Sequence, residues 1–439
     1  MAPVDDLIRH PIAHARIERG WSQPELARRV RRAALRRGFR SGVDRQRIWN
    51  WENNRATPDD DSQMLLADVF EIDQSLATTL GWPHWLPGRD SSIPLGPNST
   101  VPALREALRT SMDRRTFLTY SSAALVGLAH QWASTEPQTL AAALDGKPVD
   151  AELVDLLEAT GQKLTGLITE QRQHTRTLLD AHLTTVTDLI EGGNYTQPVG
   201  QRLHTLAARM SSTVGWHRFD QGKHAAASRF WHGALHSAHA SGDRDLGAGI
   251  MSDLAYQATW LKDPKTAAQI LDSAVLRTEH PTARSLLHLR LARAQAALGE
   301  AYTCRRSLAT AEQELARTAG EPPAWCSWMS PADLLVDSGQ CLLDLGEPER
   351  ARELIEEGTA LLPGARDKTR AVFLSYEAGS LLRAGDADQA AAAAMQSLTL
   401  AKKIGAPRCV ALVRDLTPGF KRYAGADGVN DLLERVRAS

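Results

Sequence analysis

GQCLLDLGEPERA (residues 339–351) holds small residues, paired leucines and a turn in one short span. EAGSLLRAGDADQA (377–390) repeats that order, and LARAQAALGE (291–300) repeats its first half. Leu and Ala three and four apart read as helix. A glycine followed by an acidic residue reads as one helix ending and the next being capped. Small residues on facing helices let two backbones approach closely, so the repeated unit is a helix pair.

Outward from this stretch, breaks of the same kind fall at Asp220-Gln221-Gly222, Asp263-Pro264, Gly299-Glu300, Gly346-Glu347-Pro348 and Gly385-Asp386. They recur every 36 to 47 residues or so, a period that marks stacked repeats. Five degenerate units over residues 200–405 are expected to form an α-solenoid, with GEPPAWCSWMSP (320–331) as an insertion and GVNDLLERVRAS (428–439) as a capping helix. Upstream, residues 151–193 space Leu and Ile for two or three more helices ending at Gly192-Gly193.

The pieces 343–351 and 382–390 resemble tetratricopeptide repeats. Arrays of that kind bend into a concave surface that holds a peptide or another helix. Large residues at helical spacing are candidates to line it: Trp216, His217, Trp231, Tyr256, Trp260, Trp325 and Trp328. His232, His236 and His239 share one helix face, but no acid or cysteine accompanies them locally, so no metal is expected.

The composition fits this reading. The chain has 439 residues, 43% of them hydrophobic, too many for one ordinary core. Its net charge of -1 hides an asymmetry. Residues 1–55 hold thirteen arginines and six acids, a balance of +7. A basic arm on an acidic body suggests a polyanionic partner for the arm. The four scattered cysteines form no CxxC pair, which fits a reducing cytoplasm and neither disulfides nor zinc.

In the basic arm, Ser22 and Glu25 fit a capping box. Leu26 and Val30 give the helix that follows an apolar stripe. Asp44 can cap a second helix, residues 45–52, with Ile48 and Trp51 as inward anchors. That helix leads with Arg45, Gln46, Arg47 and Asn50, side chains that suit guanine and adenine edges in a major groove. The stretch resembles the phage-repressor-type (XRE) helix-turn-helix family through WSQPELA (21–27), GVD (42–44), Ile48, Trp51, Glu52 and Pro58. The resemblance implies that Arg45, Gln46, Arg47 and Asn50 approach bases and that Gln23 meets a phosphate. One departure is RRAALRRGFR (31–40), which lengthens the first motif helix by about two turns. Its five arginines, Arg36 and Arg37 among them, are candidates to hold backbone phosphates.

Between the halves, residues 87–102 read as a Pro/Ser/Gly linker. MDRRTFLTYSSAALVGLAHQWA (112–133) then imitates a twin-arginine export signal. It stands far from the N-terminus, and polar residues interrupt its uncharged run, so a connecting helix is expected, docked through Leu118, Leu125 and Leu128. Arg114 and Arg115 are left to face solvent or acidic partners. No phosphate loop, GxSxG or HExxH motif is present, so neither an enzyme nor a cofactor is expected.

The expected fold class is therefore all-α: a helix-turn-helix domain (1–86), a linker and connecting helix (87–148), and an α-solenoid of tetratricopeptide-like pairs (149–439). The halves together resemble Gram-positive, actinobacterial regulators of the peptide-sensing kind. That resemblance implies a cytoplasmic homodimer that binds double-stranded DNA and senses a peptide or protein ligand. Two other readings stay open from sequence: an adaptor binding a protein partner without a small ligand, and a membrane-tethered sensor.

Overall fold

In the computed structural model the described residues are 11–53, 55–70, 74, 82, 86, 93, 95, 96, 99–112, 120, 122–134, 149–167, 169–317, 320–364 and 366–438. Arg114, Arg115 and Leu118 lie outside them. Apart from an isolated bridge at Tyr120, the described secondary structure is helical throughout.

The head contains α1 (Pro11–Glu18), α2 (Gln23–Arg36), α3 (Arg45–Glu52) and α4 (Asp60–Phe70). The Ser22 hydroxyl accepts from the Glu25 amide at 3.3 Å, and the Asp44 carboxylate from the Arg47 amide at 2.8 Å. These contacts start α2 and α3 where the sequence places them, because each takes up an amide that the first helical turn leaves unpaired. Ile12, Leu26, Val30, Ile48, Trp51, Leu65, Leu66 and Phe70 form the core of this head.

Next come α5 (Thr100–Met112), α6 (Ser122–Ser134), α7 (Ala151–Thr165) and α8 (Thr169–Gly192). Six helix pairs follow. They are α9 (Gln197–Asp220) with α10 (His224–Ser241), α11 (Arg244–Trp260) with α12 (Pro264–Val275), and α13 (Pro281–Ala297) with α14 (Ala301–Leu315). The remaining three are α15 (Pro331–Asp344) with α16 (Pro348–Leu361), α17 (Asp367–Ala384) with α18 (Ala387–Lys403), and α19 (Pro407–Phe420) with α20 (Val429–Arg437). All five expected breaks are the turns inside pairs. The sixth pair was not legible as a repeat, because its turn is lengthened by a 3-10 segment, Lys421–Tyr423. The C-terminal helix α20 packs on α19 and α18 as a pair member.

Gly222, Gly299, Gly346 and Gly385 take the left-handed conformation in four of these turns. In the α11–α12 turn Lys262 does so with φ 64°, the only non-glycine with positive φ among the described residues.

Glycines within helices serve a different purpose. A Cβ on Gly215 would lie 2.6 Å from the Trp231 ring, on Gly247 2.5 Å from Trp132, and on Gly249 2.6 Å from Trp325. Each glycine is the seat of an indole.

Helices α5 and α6 are fastened to the solenoid. Leu104 of α5 packs on Gly233 of α10, and the α5 carboxylate Glu106 pairs with Arg229 at 3.6 Å. The Ser99 hydroxyl lies 2.7 Å from His236 Nδ1, and His236 Nε2 lies 3.0 Å from His232 Nε2. Leu128 and Trp132 of α6 join the core shared by α9–α13, with Leu125 packed against it. Among the described residues no helix is long and apolar enough to cross a membrane.

Two buried histidines predict an acid response. Burial lowers His204 to about 4 and His236 to about 3. The native state therefore refuses protons that the unfolded chain accepts near pH 6.5. The stabilisation is complete above pH 6.5 and is lost as pH falls toward the folded values. His204 alone accounts for roughly 3 kcal/mol of it. Urea unfolding at pH 7.5 and 4.5 should show this loss, and His204→Leu should flatten the dependence.

Candidate functional site

Two surfaces carry chemistry. The first is the outer face of α3. Ile48 and Trp51 are buried and fix the helix, which leaves Arg45, Gln46 and Arg47 exposed and Asn50 half-buried. Gln46 Nε2 donates to Asn50 Oδ1 at 3.3 Å, and Arg55 lies over the Trp49 ring at 4.6 Å. The carboxylate of Glu52 binds Arg16 at 2.6 Å and Gln23 Nε2 at 2.5 Å. The Gln23 amide is thus committed to joining α2 and α3. Arg37 is also committed, through two bonds to Asp68 of 2.7 and 2.9 Å. Arg36 stays exposed at the end of α2.

The second surface is a groove of about 1930 Å³ running along the inside of the solenoid. Its walls come mainly from the first helix of each pair: α9, α11, α13, α15, α17 and α19. Among the described residues the lining holds eight arginines, two lysines and eight aspartates, but no glutamate.

Trp216, Tyr256 and Trp260 line the groove, as do Trp325 and Trp328. Trp231 and His217, expected there, do not. Trp231 is wholly buried against Gly215, and His217 is 7% exposed in the packed interior. Both lie on helices covered on nearly every side, where helical spacing cannot separate the groove face from the core face.

Sequence reasoning also missed the charged residues of the groove. Asp253 accepts from Arg290 Nη1 at 3.0 Å, Trp216 Nε1 at 2.9 Å and Ser212 Oγ at 3.3 Å. Burial nevertheless raises its carboxyl above the usual range. Arg408 Nε donates to Asp220 at 2.9 Å and its Nη1 to the Tyr256 hydroxyl at 2.9 Å, while Lys368 pairs with the same aspartate. Burial pushes Asp220 upward, but Lys368 and Arg408 outweigh it and leave the carboxyl lowered. Asp220 lies 148 and 188 residues from these partners, so the clasp joins the first repeat to the last two. Asp220, Asp253, Arg290 and Arg408 are single charges in helical patterns and Lys368 sits in an ordinary charged run (366–370), so no local signal marks any of them.

Three comparisons bear on the chain. A family model described as the SP15 N-terminal domain matches residues 13–80. Among solved structures, the chain is similar to the Rap protein complexed with competence and sporulation factor. The TM-score is 0.42 at 11% identity, covering 66% of this chain and 98% of that one. It is also similar to BtubC (BKLC) from P. vanneervenii, with a TM-score of 0.32 at 17% identity, covering 58% and 93%. No curated protein matches.

Proposed function

We propose that this protein is a sequence-specific DNA-binding transcriptional regulator whose helical-repeat body dimerises and binds a peptide or protein segment in its groove. The observation that carries the reading is α3: a helix held by two buried anchors, capped by Asp44, that presents Arg45, Gln46 and Arg47 outward. A helix of this form fits a major groove. The groove supports the second half of the reading, since its volume exceeds what a drug-sized ligand needs. The reading assigns the chain no catalytic step and no cofactor. A cytoplasmic setting suits a protein that acts on DNA.

The mechanism follows from this assignment. Two heads read two half-sites whose spacing is set by the dimer. A ligand that prefers one curvature of the solenoid shifts the population toward the matching head spacing.

Genome-wide mapping of bound DNA with the full chain, followed by titration on the recovered sites, tests the reading. A discrete set of sites bound well above unrelated duplexes is expected. Equal, salt-erased binding to every duplex would sink it. Arg36→Ala is expected to weaken binding to all sequences alike and to reduce the salt slope by about 1. The measurement is affinity against salt concentration on site and non-site DNA. Arg37→Ala is expected to act less cleanly, because it also releases Asp68.

A further inference from the structure

All four cysteines are free and buried. Two of them bond to backbone: Cys326 Sγ donates to the Pro323 carbonyl at 3.4 Å, and Cys409 Sγ to the Lys368 carbonyl at 3.9 Å. Cys304 of α14 and Cys341 of α15 meet each other instead. They share one buried cluster with Ala292 and Ala296 of α13, and Leu308 and Leu345 pack against it. The small alanines let three helices converge, which brings together thiols from two different helix pairs.

The two sulfurs are not equivalent. The Cys341 S–H donates to Cys304, and that bond is the main influence that lowers the Cys304 thiol from its ordinary value. Burial opposes it, while Arg293 and Arg305 add to it. Cys341 is raised, first by burial and then by the same hydrogen bond. Burial also pushes Cys326 up to about 12 and raises Cys409. A thiol that ionises readily beside cations is a nucleophile, whereas a buried neutral thiol is inert. A favoured thiolate with a second thiol at bonding distance is the arrangement of a sensing and a resolving cysteine.

We propose that Cys304 and Cys341 are a reversible oxidation site for a small, uncharged hydroperoxide, closing to a disulfide that ties the third helix pair to the fourth. The Cys304 thiolate attacks the peroxide. An S–O bond forms, the O–O bond breaks, the sulfur gives up two electrons, and the leaving oxyanion takes up the thiol proton. Cys341 then attacks the sulfenic sulfur. The S–S bond forms, the S–O bond breaks, and hydroxide leaves with the Cys341 proton as water. Two thiols and one hydroperoxide thus give one disulfide, one alcohol (or water) and one water. A dithiol restores the thiols by exchange. Both sulfurs are fully buried, so the oxidant enters by local opening of α14 against α15. Beside the pair, Arg293 of α13 donates to Asp344 of α15 at 3.1 Å, and both line the groove. The disulfide therefore fixes the spacing of neighbouring groove walls.

Folded full-length protein treated with hydrogen peroxide tests this. After quenching, free thiols are alkylated under denaturing conditions and the peptides are mapped by mass spectrometry. A linked peptide joining Cys304 to Cys341 is expected, reversed by a dithiol, with Cys304 consumed about tenfold or more faster than Cys326 and Cys409. Cys341→Ser is expected to leave Cys304 as a sulfenic acid that dimedone traps, and Cys304→Ser to leave Cys341 unoxidised. Circular dichroism of each variant checks its folding.

Absence of the linked peptide, or loss of all four thiols at one rate, overturns the proposal. Both outcomes are read on the unaltered chain, so they decide the matter even where a variant does not fold.

Discussion

A double variant, Arg45→Ala with Arg47→Ala, is expected to bind its recovered sites and unrelated duplexes with nearly equal affinity. Both side chains are exposed at the start of α3, so their loss leaves the packing of Ile48 and Trp51 intact. A good bidentate contact to a base discriminates by about 1–3 kcal/mol, so two such contacts account for about 2–6 kcal/mol. The loss falls on the preferred sites, while the weak binding held by other phosphate contacts persists. Competition titrations with site and scrambled duplexes at one salt concentration measure the ratio. An unchanged ratio would mean that α3 does not read sequence. The melting temperature of the head should not move, which separates this outcome from unfolding.

Gly339→Val is expected to destabilise the body by about 3 kcal/mol or more. On α15, a Cβ at this position would lie 2.7 Å from Ile355 Cγ1 and 2.8 Å from the Ala351 carbonyl oxygen. A side chain can rotate away from such a clash, whereas a backbone oxygen cannot, so α16 must shift as a whole. The contact is reciprocal: a Cβ on Gly358 of α16 would lie 2.8 Å from the Ala332 carbonyl. Once one glycine is replaced the helices have already separated, so the two replacements should cost less together than the sum of each alone. Urea unfolding measures both. Gly320→Ala is the control, since nothing lies within 4 Å of its Cβ position. Because α15 also carries Asp333, Asp337 and Asp344 to the groove, Gly339→Val should reduce ligand binding as well.

Local chemistry explains why much of the head was legible. A serine or aspartate at a helix start and a hydrophobic residue at helical spacing act over a few residues, so α2 and α3 begin where Ser22 and Asp44 stand. The same holds for the solenoid turns, where a left-handed glycine or an aspartate cap suffices. Gln23 and Arg37 were less readable. Each looks like a free polar side chain in sequence, but Glu52 and Asp68 lie 29 and 31 residues away and meet them only after folding.

The sequence by itself determined that the chain is helical, where its pairs turn, and which helix of the head presents arginines, because those outcomes depend on neighbours within about one helical turn. The tertiary structure decided which aromatics see the groove, how α5 and α6 are fastened to the repeats, and how Asp220 comes to meet Lys368 and Arg408. The physical reason is curvature. Each pair adds a small rotation to the one before it, and only their sum over six pairs brings the first repeat against the last two and gathers the charges of alternate helices onto one inner wall.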